Sequence, residues 1–258
     1  MRDTSSLAAA LWLTIGVSPP ACAASPPPAA SLGQWAVVVV AGDDQGAHDG
    51  RPTRAFDNAR RDVAAALERR GFAEANLAQF SLHPDLYPAD HAARSGMASI
   101  ATRLRALAAR ARDGCLIYFT SHGSPDGVVV DNRIVPPATM ARMIEGACGS
   151  RPTAVILSAC FSGVFVPTLA APNRLIFTAA RRDRSSFGCG ESDRYPFFDR
   201  CVIERLPRAR DFVDLADQVK RCVAAREDSE GMRPRSLPQL FVGPAFPLTE
   251  PPFAAPAG

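Results

Sequence analysis

Four runs of β-branched and aromatic residues restrict this chain more than any other feature. They are Trp35-Ala36-Val37-Val38-Val39-Val40, Cys115-Leu116-Ile117-Tyr118-Phe119-Thr120, Thr153-Ala154-Val155-Ile156-Leu157-Ser158 and Arg174-Leu175-Ile176-Phe177-Thr178. A strand with one wet face alternates apolar and polar side chains. These runs do not alternate, so both of their faces must be covered, as in a parallel sheet held between helical layers. The intervening segments supply the layers. Residues 55–70 put Phe56, Ala59, Val63, Ala66 and Leu67 on one helical stripe, with Gly71 positioned to cap its end. Further helices are expected over residues 97–112, 137–146, 196–206 and 211–226. Shorter strands are expected near residues 77–82 and 239–242, with a small hairpin near 128–134. Strands alternating with helices predict an α/β sandwich around a mainly parallel sheet of about six strands.

The chain has 258 residues, 47% of them hydrophobic and 21% charged, which suits one domain with a substantial core. Arg2 precedes an apolar run at residues 7–17, followed by Ser18-Pro19-Pro20 and Ala21-Cys22-Ala23. That order is the layout of a secretory signal cleaved after Ala23. The run of 11 residues is too short to cross a bilayer of about 30 Å as a helix, so no stable membrane insertion is expected once the signal is removed. The expected organisation is a signal at 1–23, a Pro/Ala linker at 24–32, one folded domain at 33–243 and a proline-rich tail at 244–258. The product would be periplasmic or secreted, with lipid attachment at Cys22 disfavoured by its Pro19-Pro20-Ala21 context.

The net charge of +3 comes almost entirely from arginine, because Lys220 is the one lysine. Acidic residues are interspersed with the arginines, so the chain lacks the basic stripe of a nucleic-acid binder and no nucleic-acid partner is expected. Beyond the signal lie six cysteines: Cys115, Cys148, Cys160, Cys189, Cys201 and Cys222. None are paired at CxxC spacing, which argues against a redox motif and a zinc ribbon. If Cys160 is a free nucleophile, the other five allow at most two disulfides and leave one further thiol. Spacing alone does not give their connectivity.

Two reactive side chains follow strand ends. His122 comes just after the strand ending at Thr120, and Cys160 just after the strand ending at Ser158. In open α/β sheets, ligands bind beyond the carboxyl ends of the strands. If those two strands are parallel neighbours, both side chains emerge on one rim. Gly123 permits a tight turn after His122, and its N–H together with that of Cys160 would form an oxyanion hole. A cysteine is already partly thiolate near neutral pH, so a Cys/His pair suffices without a third acid.

The segments Tyr118-Phe119-Thr120-Ser121-His122-Gly123-Ser124 and Ser158-Ala159-Cys160-Phe161-Ser162-Gly163 resemble the two catalytic segments of legumain-like C13 cysteine peptidases. Residues 35–42 resemble that family's first strand. Thr178-Ala179-Ala180 through Ser185-Ser186-Phe187 resemble its later substrate-binding stretch. The resemblance runs over residues 35–206 in the family's order. It implies a caspase-like α/β/α sandwich, with His122 and Cys160 as the catalytic pair and Gly123 beside them.

The resemblance also implies a polar pocket for the residue before the scissile bond, built from Arg54, Ser158, Ser186 and Asp199. Arg51 competes with Arg54 for the first place, since the loop at 43–53 looks longer than usual. Ser158 stands where legumain has an acid, so recognition of Asn in relaxed form, with Asp also admitted, is expected. Only about 50 residues follow Leu206, too few for the helical prodomain that caps plant and animal legumains. The implied activity is endopeptidase cleavage of a protein or peptide substrate, with no metal or organic cofactor and no specified oligomeric state. The alternatives are a transamidase using the same pair, as in the catalytic subunit of the GPI-anchor transamidase that the family includes, and a non-catalytic binding scaffold.

Overall fold

The computed structural model describes residues 31–248 and Phe253. The expected signal at 1–23 and nearly all of the linker at 24–32 lie outside these residues.

The described chain forms ten strands and six α-helices. In order they are β1 (Trp35–Ala41), α1 (Ala55–Arg69), β2 (Leu77–Ser81), β3 (Ala93–Arg94), α2 (Met97–Arg110) and β4 (Gly114–Thr120). There follow β5 (Gly123–Ser124), β6 (Gly127–Val130), β7 (Arg133–Val135), α3 (Pro137–Cys148), β8 (Thr153–Ser158) and α4 (Val166–Leu169). The last elements are β9 (Arg174–Thr178), α5 (Phe197–Arg205), α6 (Phe212–Ser229) and β10 (Gln239–Val242). The four apolar runs are the four central strands. Every residue of β1, β4, β8 and β9 is buried, as strands covered on both faces require.

Seven strands make the main sheet, in the order β10-β9-β8-β4-β1-β2-β3. All neighbours are parallel except β10, which runs antiparallel to β9 at one edge. The seventh strand beyond the expected six is β3, a two-residue edge strand whose exposed Ala93 and Arg94 carry no apolar signal. The expected hairpin becomes a separate three-stranded sheet, β5-β6-β7. The structure has the expected α/β/α sandwich form.

Alternate side chains along each central strand go to opposite faces. Val37, Val39, Leu116, Tyr118, Ile156 and Phe177 join a core with α1, α5 and α6. Val38, Val40, Ile117, Phe119, Val155 and Leu157 join another with α2 and α3. Trp35 anchors the first core, its ring 5.7 Å from that of Phe212 and 6.2 Å from that of Phe72. A side chain at Gly114 would collide with the Trp35 ring, which explains the glycine that opens β4.

The domain reaches past the expected boundary at 243. Phe246 and Phe253 are buried in the first core, with Phe253 4.9 Å from the Phe212 ring. Two apolar side chains in a proline-rich stretch have no periodicity to announce burial. At the other end Leu32, expected in the linker, is buried in the same core.

One disulfide braces each helical layer. Cys115 of β4 is bonded to Cys148 at the end of α3, and Cys201 of α5 to Cys222 of α6. Cys160 and Cys189 are the free thiols among the described residues. In the chain-entropy description, closing loops with sequence separations of 33 and 21 stabilises by about 3–4 kcal/mol each. Replacing Cys115 and Cys148 together by alanine is therefore expected to lower unfolding free energy by roughly 3 kcal/mol in urea titration. A change below about 1 kcal/mol would show that this bond does not restrain the unfolded chain.

Candidate active site

The pairing of β4 with β8 builds the site. Their register sets Thr120 opposite Ser158, and the Ser121 N–H donates to the Ser158 carbonyl at 3.0 Å. His122 and Cys160 each lie two residues beyond that pair, on the carboxyl rim of adjacent parallel strands. Both are half-buried. After Cys160 the chain turns through Phe161, which adopts the left-handed conformation at φ 57°, a region bulky side chains seldom enter. The Phe161 N–H donates to the Arg184 carbonyl at 2.8 Å, and the Gly163 N–H to that of Ala180 at 2.9 Å. The turn is thereby fixed against the segment after β9.

The sulfur of Cys160 faces Ser186. It accepts the Ser186 N–H at 3.3 Å and lies 3.6 Å from Ser186 Oγ. No direct hydrogen bond joins it to His122. The imidazole is held by two other contacts: its ring stands edge-on to Phe56 of α1 at 5.1 Å, and Nε2 lies 2.9 Å from the Gln45 carbonyl oxygen. A carbonyl only accepts, so Nε2 carries the proton and Nδ1 of the neutral ring is the free base.

Gln45 is placed by the long loop at residues 43–53. Asp43 Oδ1 accepts the N–H groups of Asp44 and Gln45, and the Thr53 N–H donates to the Asp44 carbonyl. Glu191 clamps the outer part of the loop, accepting the N–H groups of His48 and Asp49 and meeting His48 Nδ1 at 3.0 Å. These hydrogen bonds hold the Glu191 carboxyl well below the usual range. Neither Gln45 nor Glu191 was evident from the sequence. A backbone carbonyl leaves no residue-type signal, and the clamp joins positions 143 apart.

Gly123 packs against the backbone of Cys160, where any Cβ would collide with the Cys160 carbonyl oxygen. The Val129 N–H donates to the His122 carbonyl at 2.9 Å, which makes Gly123 and Val128 a non-hydrogen-bonded antiparallel pair. The Gly123 N–H therefore points away from β6.

Of the four residues expected in the specificity pocket, the structure brings two together beneath the rim. Asp199, the third residue of α5, has no solvent exposure, and its carboxylate accepts from Tyr118 Oη at 2.5 Å, Thr120 Oγ1 at 2.8 Å and Ser158 Oγ at 2.7 Å. Ser158 is 2% exposed. Both form a closed floor, not a surface open to solvent. Ser186 stands apart from them beside the sulfur. Arg54 is exposed at the start of α1, and its Nη1 reaches Tyr87 Oη at 3.4 Å. Arg51 is also exposed and pairs with Asp49.

Burial pushes the Asp199 carboxyl up to about 6, against the three hydrogen bonds, which favour its charged form. Burial, then the Asp199 charge, keeps the Tyr118 phenol protonated and donating. An acid whose native value lies above its unfolded value binds a proton in the folded state first. Stability from Asp199 should thus rise as pH falls from about 6 to about 4, the ordinary Asp range, and be lost as pH rises again. Asp199→Asn is expected to flatten this part of the profile, measured as the urea midpoint of wild type against variant across that window. Parallel profiles would show that Asp199 ionises normally.

Comparisons with known proteins bear on the fold and the family. A search of curated proteins gives no match. Among solved structures, the crystal structure of caspase-1 from Spodoptera frugiperda superposes with a TM-score of 0.56 over 81% of this chain and 87% of that one, at 16% identity. That likeness concerns the fold. The sequence profile of the Peptidase C13 family matches residues 36–212, from β1 through both strand-end segments to the start of α6. Since that span covers more than half of the chain, the protein belongs to the Peptidase C13 family.

Proposed function

We propose that this protein is an exported cysteine endopeptidase in which Cys160 is the nucleophile and His122 its acid/base partner. The observation that carries the reading is the β4–β8 register, which sets both residues two positions past one strand pair on a single rim. Nδ1 of His122 takes the thiol proton while the Gln45 carbonyl holds the opposite ring edge. The thiolate attacks the scissile carbonyl. The N–H groups of Gly123 and Cys160 stabilise the resulting oxyanion, and loss of one such donor typically costs about 10²–10³ in rate. His122 then protonates the leaving amine, and water releases the acyl group from sulfur. The two disulfides support export, since such bonds persist in oxidising compartments, and they accord with the signal-like residues 1–23.

For specificity, Arg54 and Ser186 are the groups offered directly to the substrate side chain, one at the exposed lip and one beside the sulfur. Ser158 and Asp199 act from below by holding the strand ends in register. Polar groups at a side-chain pocket disfavour apolar residues that leave them unpaired.

Cys160→Ala should abolish peptide cleavage, and His122→Ala should slow iodoacetamide labelling of Cys160 by at least about tenfold at neutral pH. Cys189 serves as the internal control, because burial pushes its thiol up to about 12. Equal labelling of both thiols by mass spectrometry, or labelling of Cys160 indifferent to His122, would refute the pair.

In matched peptides differing only before the scissile bond, Asn and Asp are expected to be cleaved at least about tenfold faster than Leu. Equal rates for Asn and Leu would eliminate the polar pocket and leave the catalytic pair standing.

A further inference from the structure

A second pocket opens at the opposite end of the sheet. Arg174 begins β9, while Thr178 at its far end lies level with Leu157, close to the catalytic rim. At roughly 3.3 Å per residue the two ends are about 13 Å apart. The pocket has a volume of about 330 Å³. Its walls come from α3 through Ala141, Ile144 and Glu145, with the exposed Arg142 beside them, and from α4 and the turn after it through Leu169 and Ala171.

Arg174 is the unusual member of this lining. It is 5% exposed, yet its one ionic contact is a single Nη2–Oε2 approach of 3.1 Å to Glu145, whose side chain is 73% exposed. Its Nη1 is buried and has no hydrogen-bond partner. The other arginines with a buried, unpartnered nitrogen among the described residues lack a partner at Nε, whereas Arg174 lacks one at the tip of the guanidinium. The two Nη groups form the fork that meets a carboxylate through parallel hydrogen bonds. A cation taken out of water gains most from a partner that fills both positions, and a solvent-exposed glutamate filling one holds it weakly. Burial accordingly pushes the guanidinium below its usual range despite Glu145.

We propose that this pocket binds a small aliphatic carboxylate, with its tail against Ala141, Ile144 and Leu169 and its carboxylate on the Arg174 guanidinium in place of Glu145. The charge of Arg174 selects the anion, the mainly aliphatic walls select the tail, and the exposure of Glu145 lets it swing into solvent. Pockets of this size, mainly apolar with a few placed charged groups, bind small molecules by that division of labour, and the buried Arg174, not the exposed Arg142, is the cation within this one.

Octanoate is a suitable probe, with octanol as its uncharged counterpart, titrated calorimetrically into the full-length protein. One octanoate per chain is expected to bind saturably, and octanol at least roughly tenfold more weakly. Arg174→Met, which keeps bulk and removes charge, should abolish the preference for the anion. Ala141→Trp, which fills the pocket from half-buried α3, should abolish binding with Arg174 intact, so the test stands even if the Met variant fails to fold. Octanol binding as tightly as octanoate, binding unchanged in Ala141→Trp, or no saturable binding into the millimolar range would each overturn the proposal.

Discussion

Parallel pairing of β4 with β8 in a single register is the constraint on which the rest of the site depends. A slip of one residue would invert every side chain on one of the two strands, sending Ile156 and Leu157 to each other's cores and swinging Cys160 away from the rim. Asp199 guards against that slip where it matters. Its carboxylate takes hydrogen bonds from both strands at once, from Tyr118 and Thr120 on one and Ser158 on the other. Burying a charge there is unfavourable, and the three donors offset that cost only in part, so the carboxyl stays above the usual Asp range. A buried polar network satisfied in only one arrangement specifies that arrangement more sharply than apolar packing would.

Above the register, the reactive groups are placed by backbone as much as by side chains. The imidazole of His122 is oriented by the Gln45 carbonyl and the Phe56 ring, the sulfur of Cys160 by the Ser186 N–H, and the turn after Cys160 by the left-handed Phe161. Two loops from distant parts of the sequence, 43–53 and 181–196, meet over the rim and are joined through Glu191 and through the Ala47 N–H to the Cys189 carbonyl. The scaffold below is closely covered, because each central strand is buried on both sides, and loops that carry function commonly rest on such a base.

The central strands and the positions of His122 and Cys160 could be read from the sequence, because burial on two faces leaves an uninterrupted apolar run and a reactive residue after it stands out. The helices were legible from their stripes, with ends shifted by a few residues where capping sets the boundary. What escaped had no local pattern. Helix α4 is only four residues long, β3 has two exposed residues, and Phe246 and Phe253 dock from a stretch whose prolines suggested a free tail. The family resemblance grouped Ser158 with Asp199, but the other two partners of Asp199 were invisible for a related reason. Tyr118 and Thr120 read as strand residues, and only the packing of α5 across the sheet reveals that they point at one carboxylate.

The two disulfides divide the chain in a way that matters once its backbone is cut. Residues 116–147, which include His122, lie inside the loop closed by Cys115 and Cys148, whereas residues 149–200, which include Cys160, lie in neither covalent loop. A nick in the first region leaves both pieces in one covalent molecule until a reductant is added. A nick in the second yields two polypeptides held by non-covalent contacts alone, parting in denaturant without any reductant. A processing event between Cys148 and Cys201 would thus give a two-chain form with the His122 segment on one chain, and with Cys160 on whichever side of the cut it fell.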